Sequence, residues 1–257
     1  MLDIVIPVQY ESSLLETCVA SIEETTTDYK LHVFKDSGLN VGEARQAAMD
    51  TLNLGKYVCF LDDDSVLQVQ GWAEKLMLAL DQNKQAVVAF GEEDWEGEGY
   101  CMDYHHIREV RFGPAACMMI DTTKIPDGFK WDPYIGLRSG WLGGDFEEVD
   151  YVYRLKELGL HSIGVPGTRF LHTDRPSLED FRKTDRAKTC TIMHALIRCR
   201  LLDPERPDFF RKLEYVKANP NNDRMLAPGQ TLKKCFNGVI LDNHMESFPM
   251  FKKQGLV

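Results

Sequence analysis

The stretch Lys56-Tyr-Val-Cys-Phe-Leu-Asp-Asp-Asp-Ser65 runs from five apolar residues straight into three carboxylates. Tyr57 to Leu61 has the length and the β-branched and aromatic content of a buried strand, so Asp62, Asp63 and Asp64 stand at a strand's carboxyl end. In open α/β sheets ligands bind in the crevice beyond such ends. Three adjacent carboxylates repel one another unless water, a basic partner or a cation compensates. Hard divalent ions such as Mg²⁺ and Mn²⁺ take oxygen ligands together with phosphate co-ligands. Read in isolation, the triplet also fits a solvated acidic turn closing a buried strand.

Working outward, residues 2–8 form an apolar run that predicts a strand, and Leu14, Leu15, Cys18, Val19 and Ile22 follow at helical spacing behind Ser12, a suitable N-cap. Leu31 to Lys35 predicts a second strand ending in the turn former Asp36-Ser-Gly38. Asn40 to Leu54 carries Val41, Ala44, Ala47, Ala48 and Leu52 on one helical face, and the strand at 57–61 comes next. This alternation predicts a parallel βαβ sheet with its acid-bearing ends on one edge. Further on, the sequence predicts a helix over 72–80, a strand over 85–90 and an acidic, glycine-rich loop from Gly91 to Tyr104. A strand over 115–120 and a glycine-rich loop over 126–146 with Trp131, Tyr134 and Trp141 precede a helix over 147–159. That helix has acids in its first turn and Gly159 at its end. Strands at 161–165 and 169–174 complete the pattern.

With 257 residues, 44% hydrophobic and 10% aromatic content, the chain has ample material for a core. Its seven cysteines are odd in number and include no C-x-x-C pair, which indicates free thiols rather than a disulfide framework or zinc site. No run of about 18 apolar residues is present and no basic leader precedes the first strand, so a cytoplasmic protein without a transmembrane segment is expected. The net charge of −10 is uneven: residues 1–170 hold 14 Lys+Arg against 29 Asp+Glu, and residues 171–257 hold 16 against 11. The acidic bulk argues against indiscriminate nucleic-acid binding, whereas the basic tail suits either an anionic partner or a solvated helical surface.

Six segments together resemble the family 2 glycosyltransferases of GT-A fold. These are Ile4-Val-Ile-Pro7, Asp36-Ser-Gly38, Gly42-Glu-Ala-Arg45-Gln-Ala-Ala, Phe60-Leu-Asp62-Asp-Asp64, Glu147-Glu148-Val-Asp150 and Phe170-Leu-His172, in that family's order and spacing. The likeness covers residues 2–174. It implies an α/β, Rossmann-like GT-A domain over 1–175, with a mostly parallel central sheet flanked by helices. A mainly helical, basic extension is expected over 176–257.

The resemblance also implies site roles. Pro7, Gln9, Tyr10, Glu11 and Asp36 would cradle the base and ribose of a nucleotide-sugar donor, UDP-linked by analogy. Arg45 would approach its phosphates, and Asp62 and Asp63 belong to the same donor set. Asp64, with Asp62 and His172, would hold Mn²⁺ or Mg²⁺. The catalytic base would be Glu148, Glu147 or Asp145; Glu148 stands where the family has an Asp. Trp141 with Gly143 and Gly144 resembles the acceptor loop of sugar-accepting relatives. A glycan, a lipid-linked sugar or a modified DNA base are all open as acceptor, with Arg182, Lys183, Arg186 and Lys188 as phosphate contacts in the DNA case. The resemblance implies transfer with inversion, a retaining mechanism staying open, and two further rivals stand beside this reading. Asp62-Asp-Asp64-Ser-Val66 also fits the D-x-D-x-V signature of haloacid-dehalogenase-like phosphatases, and the Glu at 148 is compatible with a nucleotide-sugar-binding protein that does not catalyse.

Overall fold

The computed structural model describes residues 1–8, 13–35, 38–39, 41–95, 104–110, 113–131 and 147–173. They belong to one compact unit, Met1–Pro133 with Glu147–Ser177. The expected boundary at 175 and the extension 176–257 lie outside the described residues.

Among the described residues eight strands form one sheet: β1 (Leu2–Val8), β2 (Tyr29–Lys35), β3 (Tyr57–Leu61), β4 (Ser65–Leu67), β5 (Ala86–Trp95), β6 (Arg108–Val110), β7 (Cys117–Asp121) and β8 (His161–His172). Their order is β2-β1-β3-β7-β5-β8-β4, with β6 pairing to β8 off this path. β1, β2, β3, β5 and β8 share one direction, and β4, β6 and β7 run against them. The expected α/β architecture with a mainly parallel sheet is therefore present. Its first half is the predicted alternation of strand and helix, with α1 (Ser13–Thr25) and α2 (Val41–Thr51) between β1, β2 and β3.

The apolar runs do not alternate with polar residues because the central strands are covered on both faces. Leu2, Ile4, Ile6 and Val8 of β1, with Cys59 and Leu61 of β3, pack with Leu15, Cys18 and Ile22 of α1 and with Trp72, Leu76 and Leu80 of α3 (Trp72–Gln82). Val5, Val58 and Phe60 face the other way, toward Ala48 of α2 and Tyr151, Val152 and Leu155 of α4 (Glu147–Glu157). Each fully buried Leu, Ile or Phe in these layers contributes about 1.5–3 kcal/mol of transfer free energy. Trp72 also donates its indole N–H to Thr26 Oγ1 at 2.9 Å, so its polar atom is not stranded in the core. α4 stops at Gly159, which takes φ 78° as a helix-terminating glycine does.

The second half departs from expectation in three places. The segment Gly91 to Asp94, expected as the start of an acidic, glycine-rich loop, continues β5, and Glu92 and Glu93 are buried within it. Each of these two acids has a buried donor, Tyr104 N for Glu92 and His172 Nδ1 for Glu93. The two strands expected at 161–165 and 169–174 are one strand, β8, whose pairing with β5 shifts register between Phe90 and Glu92. The short strands β4 and β6 carry too few residues for a periodic signal and were not expected.

Candidate active site

The three aspartates lie in the tight link between β3 and β4, and backbone hydrogen bonds fix that link on both sides. Ser65 N donates to Asp62 O at 3.1 Å, closing the turn, and Asp62 N donates to Ala116 O at 3.3 Å. The Ser65 hydroxyl donates to the same Ala116 carbonyl at 3.0 Å. On the other side β4 pairs with the end of β8, placing Ser65 opposite His172. Thr173 N and Thr173 Oγ1 both donate to Asp64 O, at 3.0 and 2.9 Å. The turn is thus braced by the sheet on both sides.

This pairing brings Asp62, Asp64 and His172 together, with one ligand-type atom from each lying within 4.8 Å of the others. His172 is 3% exposed, and its Nε2 stands 2.9 Å from Asp64 Oδ1. Two carboxylate oxygens and an imidazole nitrogen suit Mn²⁺ or Mg²⁺. The residues present therefore fit a divalent ion. The aspartates' field also reaches the core: burial, reinforced by Asp63, Asp62 and Asp64, pushes the Cys18 thiol up to about 12.

Arg45 lies between this turn and the first turn of α4. Its guanidinium is 1% exposed, donates from Nη1 to Glu147 Oε1, and reaches Asp62 Oδ1 from Nη2 at 3.3 Å. It lies over the rings of Trp131 at 5.3 Å and Phe60 at 5.9 Å. Burial works to lower its pKa, but Glu147, Asp62 and Glu148 together outweigh burial and hold it above the ordinary arginine value. The side chain expected at the donor phosphates thus spans two carboxylates of the site, and Trp131 beneath it stacks on Tyr151 of α4 at 4.2 Å.

Glu147, Glu148 and Asp150 are buried in the first turn of α4, where the helix dipole favours negative charge. Asp150 accepts from Arg154 Nε at 2.7 Å, one turn on. Pro7 lies near the end of β1, half-buried, and Asp63 in the β3–β4 link is likewise half-buried. Gln9, Tyr10, Glu11, Asp36 and Asp145 lie outside the described residues. One residue of the site was not expected: Glu93 of β5 accepts from His172 Nδ1 at 2.7 Å. The only signal for it was its place two residues beyond Gly91 on a strand that looked finished.

No protein-family model and no curated protein sequence matches the chain. Its fold is that of the GT-A glycosyltransferases, as solved structures show. GalNAc-T7 with UDP, GalNAc and Mn²⁺ aligns with a TM-score of 0.56 at 13% identity, over 96% of this chain and 58% of that one. S. aureus TarS gives 0.57 at 11% identity, over 96% and 46%. The mannosyltransferase PcManGT from Pyrobaculum calidifontis, with GDP-Man and Mn²⁺, gives 0.53 at 11% identity, over 85% and 69%. The chain thus spans about half the length of the first two. Among the described residues no helix is long and apolar enough to cross a membrane.

Proposed function

We propose that the protein is a metal-dependent glycosyltransferase of the family 2 type, moving a sugar from a nucleotide-sugar donor, preferentially UDP-linked, to an acceptor hydroxyl with inversion. The observation that carries this reading is the meeting of Asp62, Asp64 and His172 at the ends of β3 and β8 in a GT-A fold. A divalent ion held by these three residues would offset the charge of the donor diphosphate and of the departing nucleotide. The protein's own part is to place that diphosphate beyond the strand ends and to supply a base. The acceptor oxygen forms its bond to the anomeric carbon as the bond from that carbon to the diphosphate oxygen breaks. The acceptor proton passes to a carboxylate. Glu148 is assigned that role because it stands where the resembled family has its Asp, while Glu147 accepts from Arg45.

The phosphatase alternative needs Asp62 as a nucleophile free to attack, whereas Arg45 and the metal-type grouping both draw on that carboxylate. The non-catalytic alternative is met by donor hydrolysis as a readout. The acceptor class, whether glycan, lipid-linked sugar or DNA base, follows from screening once the donor is known.

The test is calorimetric titration of UDP and GDP with and without Mn²⁺, in the wild type and in Asp64→Ala, followed by UDP-sugar hydrolysis in Glu148→Gln. UDP binding that requires Mn²⁺ and disappears in Asp64→Ala supports the donor site. Loss of turnover with binding retained in Glu148→Gln supports the base. Absence of nucleotide binding under every condition overturns the proposal.

A further inference from the structure

The second half of β5 carries two adjacent buried carboxylates, Glu92 at 2% and Glu93 at 6% exposure. Because successive strand residues point to opposite faces, the two serve different purposes. Glu92 accepts from Gly167 N at 2.6 Å, Thr168 N at 3.3 Å and Tyr104 N at 2.9 Å, holding the irregular stretch of β8 where the register shifts. Glu93 pairs in register with Phe170, so His172, two residues further along β8, lies on the same face as Glu93. There Glu93 Oε1 receives His172 Nδ1 at 2.7 Å, while Nε2 on the far side of the ring is 2.9 Å from Asp64 Oδ1.

We propose that Glu93 is a positioning residue for the divalent ion, acting through His172; this rests on reading Asp62, Asp64 and His172 as a metal site. An ionised carboxylate can only accept, so the hydrogen on Nδ1 is the one Glu93 selects. With that hydrogen committed, Nε2 is the nitrogen turned toward Asp64, and its lone pair is the one that would serve an ion taking the place of any proton there. The ring is 3% exposed, which leaves bulk water no part in choosing its orientation. Metal-ligating histidines commonly use such a carboxylate, and its removal costs about 10–100-fold in metal affinity. Glu93 is itself held in the sheet, so the orientation is built before any ion arrives.

The test measures Mn²⁺ affinity from the electron paramagnetic resonance signal of free Mn²⁺, in the wild type, Glu93→Ala, Glu93→Gln and Asp64→Ala. It is joined by a long-range ¹H–¹⁵N spectrum of His172 in the Mg²⁺-loaded protein. Glu93→Ala is expected to bind Mn²⁺ about 10–100-fold more weakly, and Glu93→Gln, whose amide oxygen still accepts from Nδ1, close to the wild type. The spectrum should show Nδ1 protonated in the wild type and in Glu93→Gln. Wild-type affinity in a folded Glu93→Ala overturns the inference while leaving the metal site standing. So does a wild-type spectrum with Nδ1 bare, which needs no variant to fold. Failure of the wild type to bind Mn²⁺, or unchanged binding in Asp64→Ala, removes the metal site and this inference with it.

Discussion

Replacing Arg45 with methionine removes the positive charge from between two carboxylates while keeping much of the apolar stem. Glu147 is 5% exposed and loses a charge-assisted hydrogen bond. The Asp62 side chain is 33% exposed, so solvent screens most of its loss and it adds little. Breaking a buried pair by removing one partner costs about 3–5 kcal/mol, and leaving the faces of Trp131 and Phe60 adds a smaller cation–π loss of about 0.5–2 kcal/mol. A destabilisation of about 3.5–7 kcal/mol is expected, dominated by Glu147. The double variant Arg45→Met/Glu147→Leu removes the stranded carboxylate as well, and such replacements are often neutral or stabilising. It should therefore be more stable than Arg45→Met alone by about 3–5 kcal/mol. Urea unfolding followed by near- and far-UV circular dichroism measures both. With a slope of about 2–3 kcal/mol/M, the single variant's midpoint should fall by at least about 1 M. A cost below about 1 kcal/mol for Arg45→Met, or simple additivity of the two changes, would refute the view that Arg45 neutralises a buried carboxylate.

Two further outcomes concern the core. Burial raises the Cys18 thiol from 9.0 to about 12 and holds Cys59 well above its ordinary value, so the unfolded chain releases these protons first as pH rises. Stability is unaffected by them below pH 9.0 and falls above it, by at most about 1.4 kcal/mol per pH unit for each thiol. Comparing urea midpoints at pH 8 and pH 10 should show a smaller alkaline loss in Cys18→Ala than in the wild type, and an equal loss would contradict the assignment. Gly164 has no room for a side chain, since a Cβ there would lie 2.5 Å from the Tyr104 ring. Gly164→Ala should cost about 1–3 kcal/mol in thermal or urea unfolding, largely recovered by adding Tyr104→Leu.

The first half of the fold was legible because its central strands are short apolar runs buried on both faces and separated by helices with clear periodicity. β1 and β3 were read to their observed bounds, and Gly159 marked the end of α4 through its backbone freedom alone. The second half was harder for a physical reason. β8 is interrupted by Pro166 and Gly167, whose irregular backbone is satisfied by the side chain of Glu92, a long-range contact no local pattern reports. The acids at 92 and 93 read as part of a loop because burial of a charge depends on donors from distant segments. For the site, the aspartate triplet and His172 were visible as motifs. That Arg45 is turned inward onto Glu147 was not, because an arginine on a helix carries no local mark of which charge it will meet.

The pairing of Ser65 with His172 also has a bearing on the order in which the molecule comes together. Asp64 accepts its clamping hydrogen bonds from Thr173, 109 positions later. During synthesis from the amino end, α1, β2, α2 and β3 can assemble while the aspartate turn still lacks its outer brace. Closing so long a loop is among the slower steps available to a chain of this topology. On the proposed metal reading, an ion would find Asp62, Asp64 and His172 together only after β8 has docked, so its capture would mark the closing of the sheet rather than its beginning.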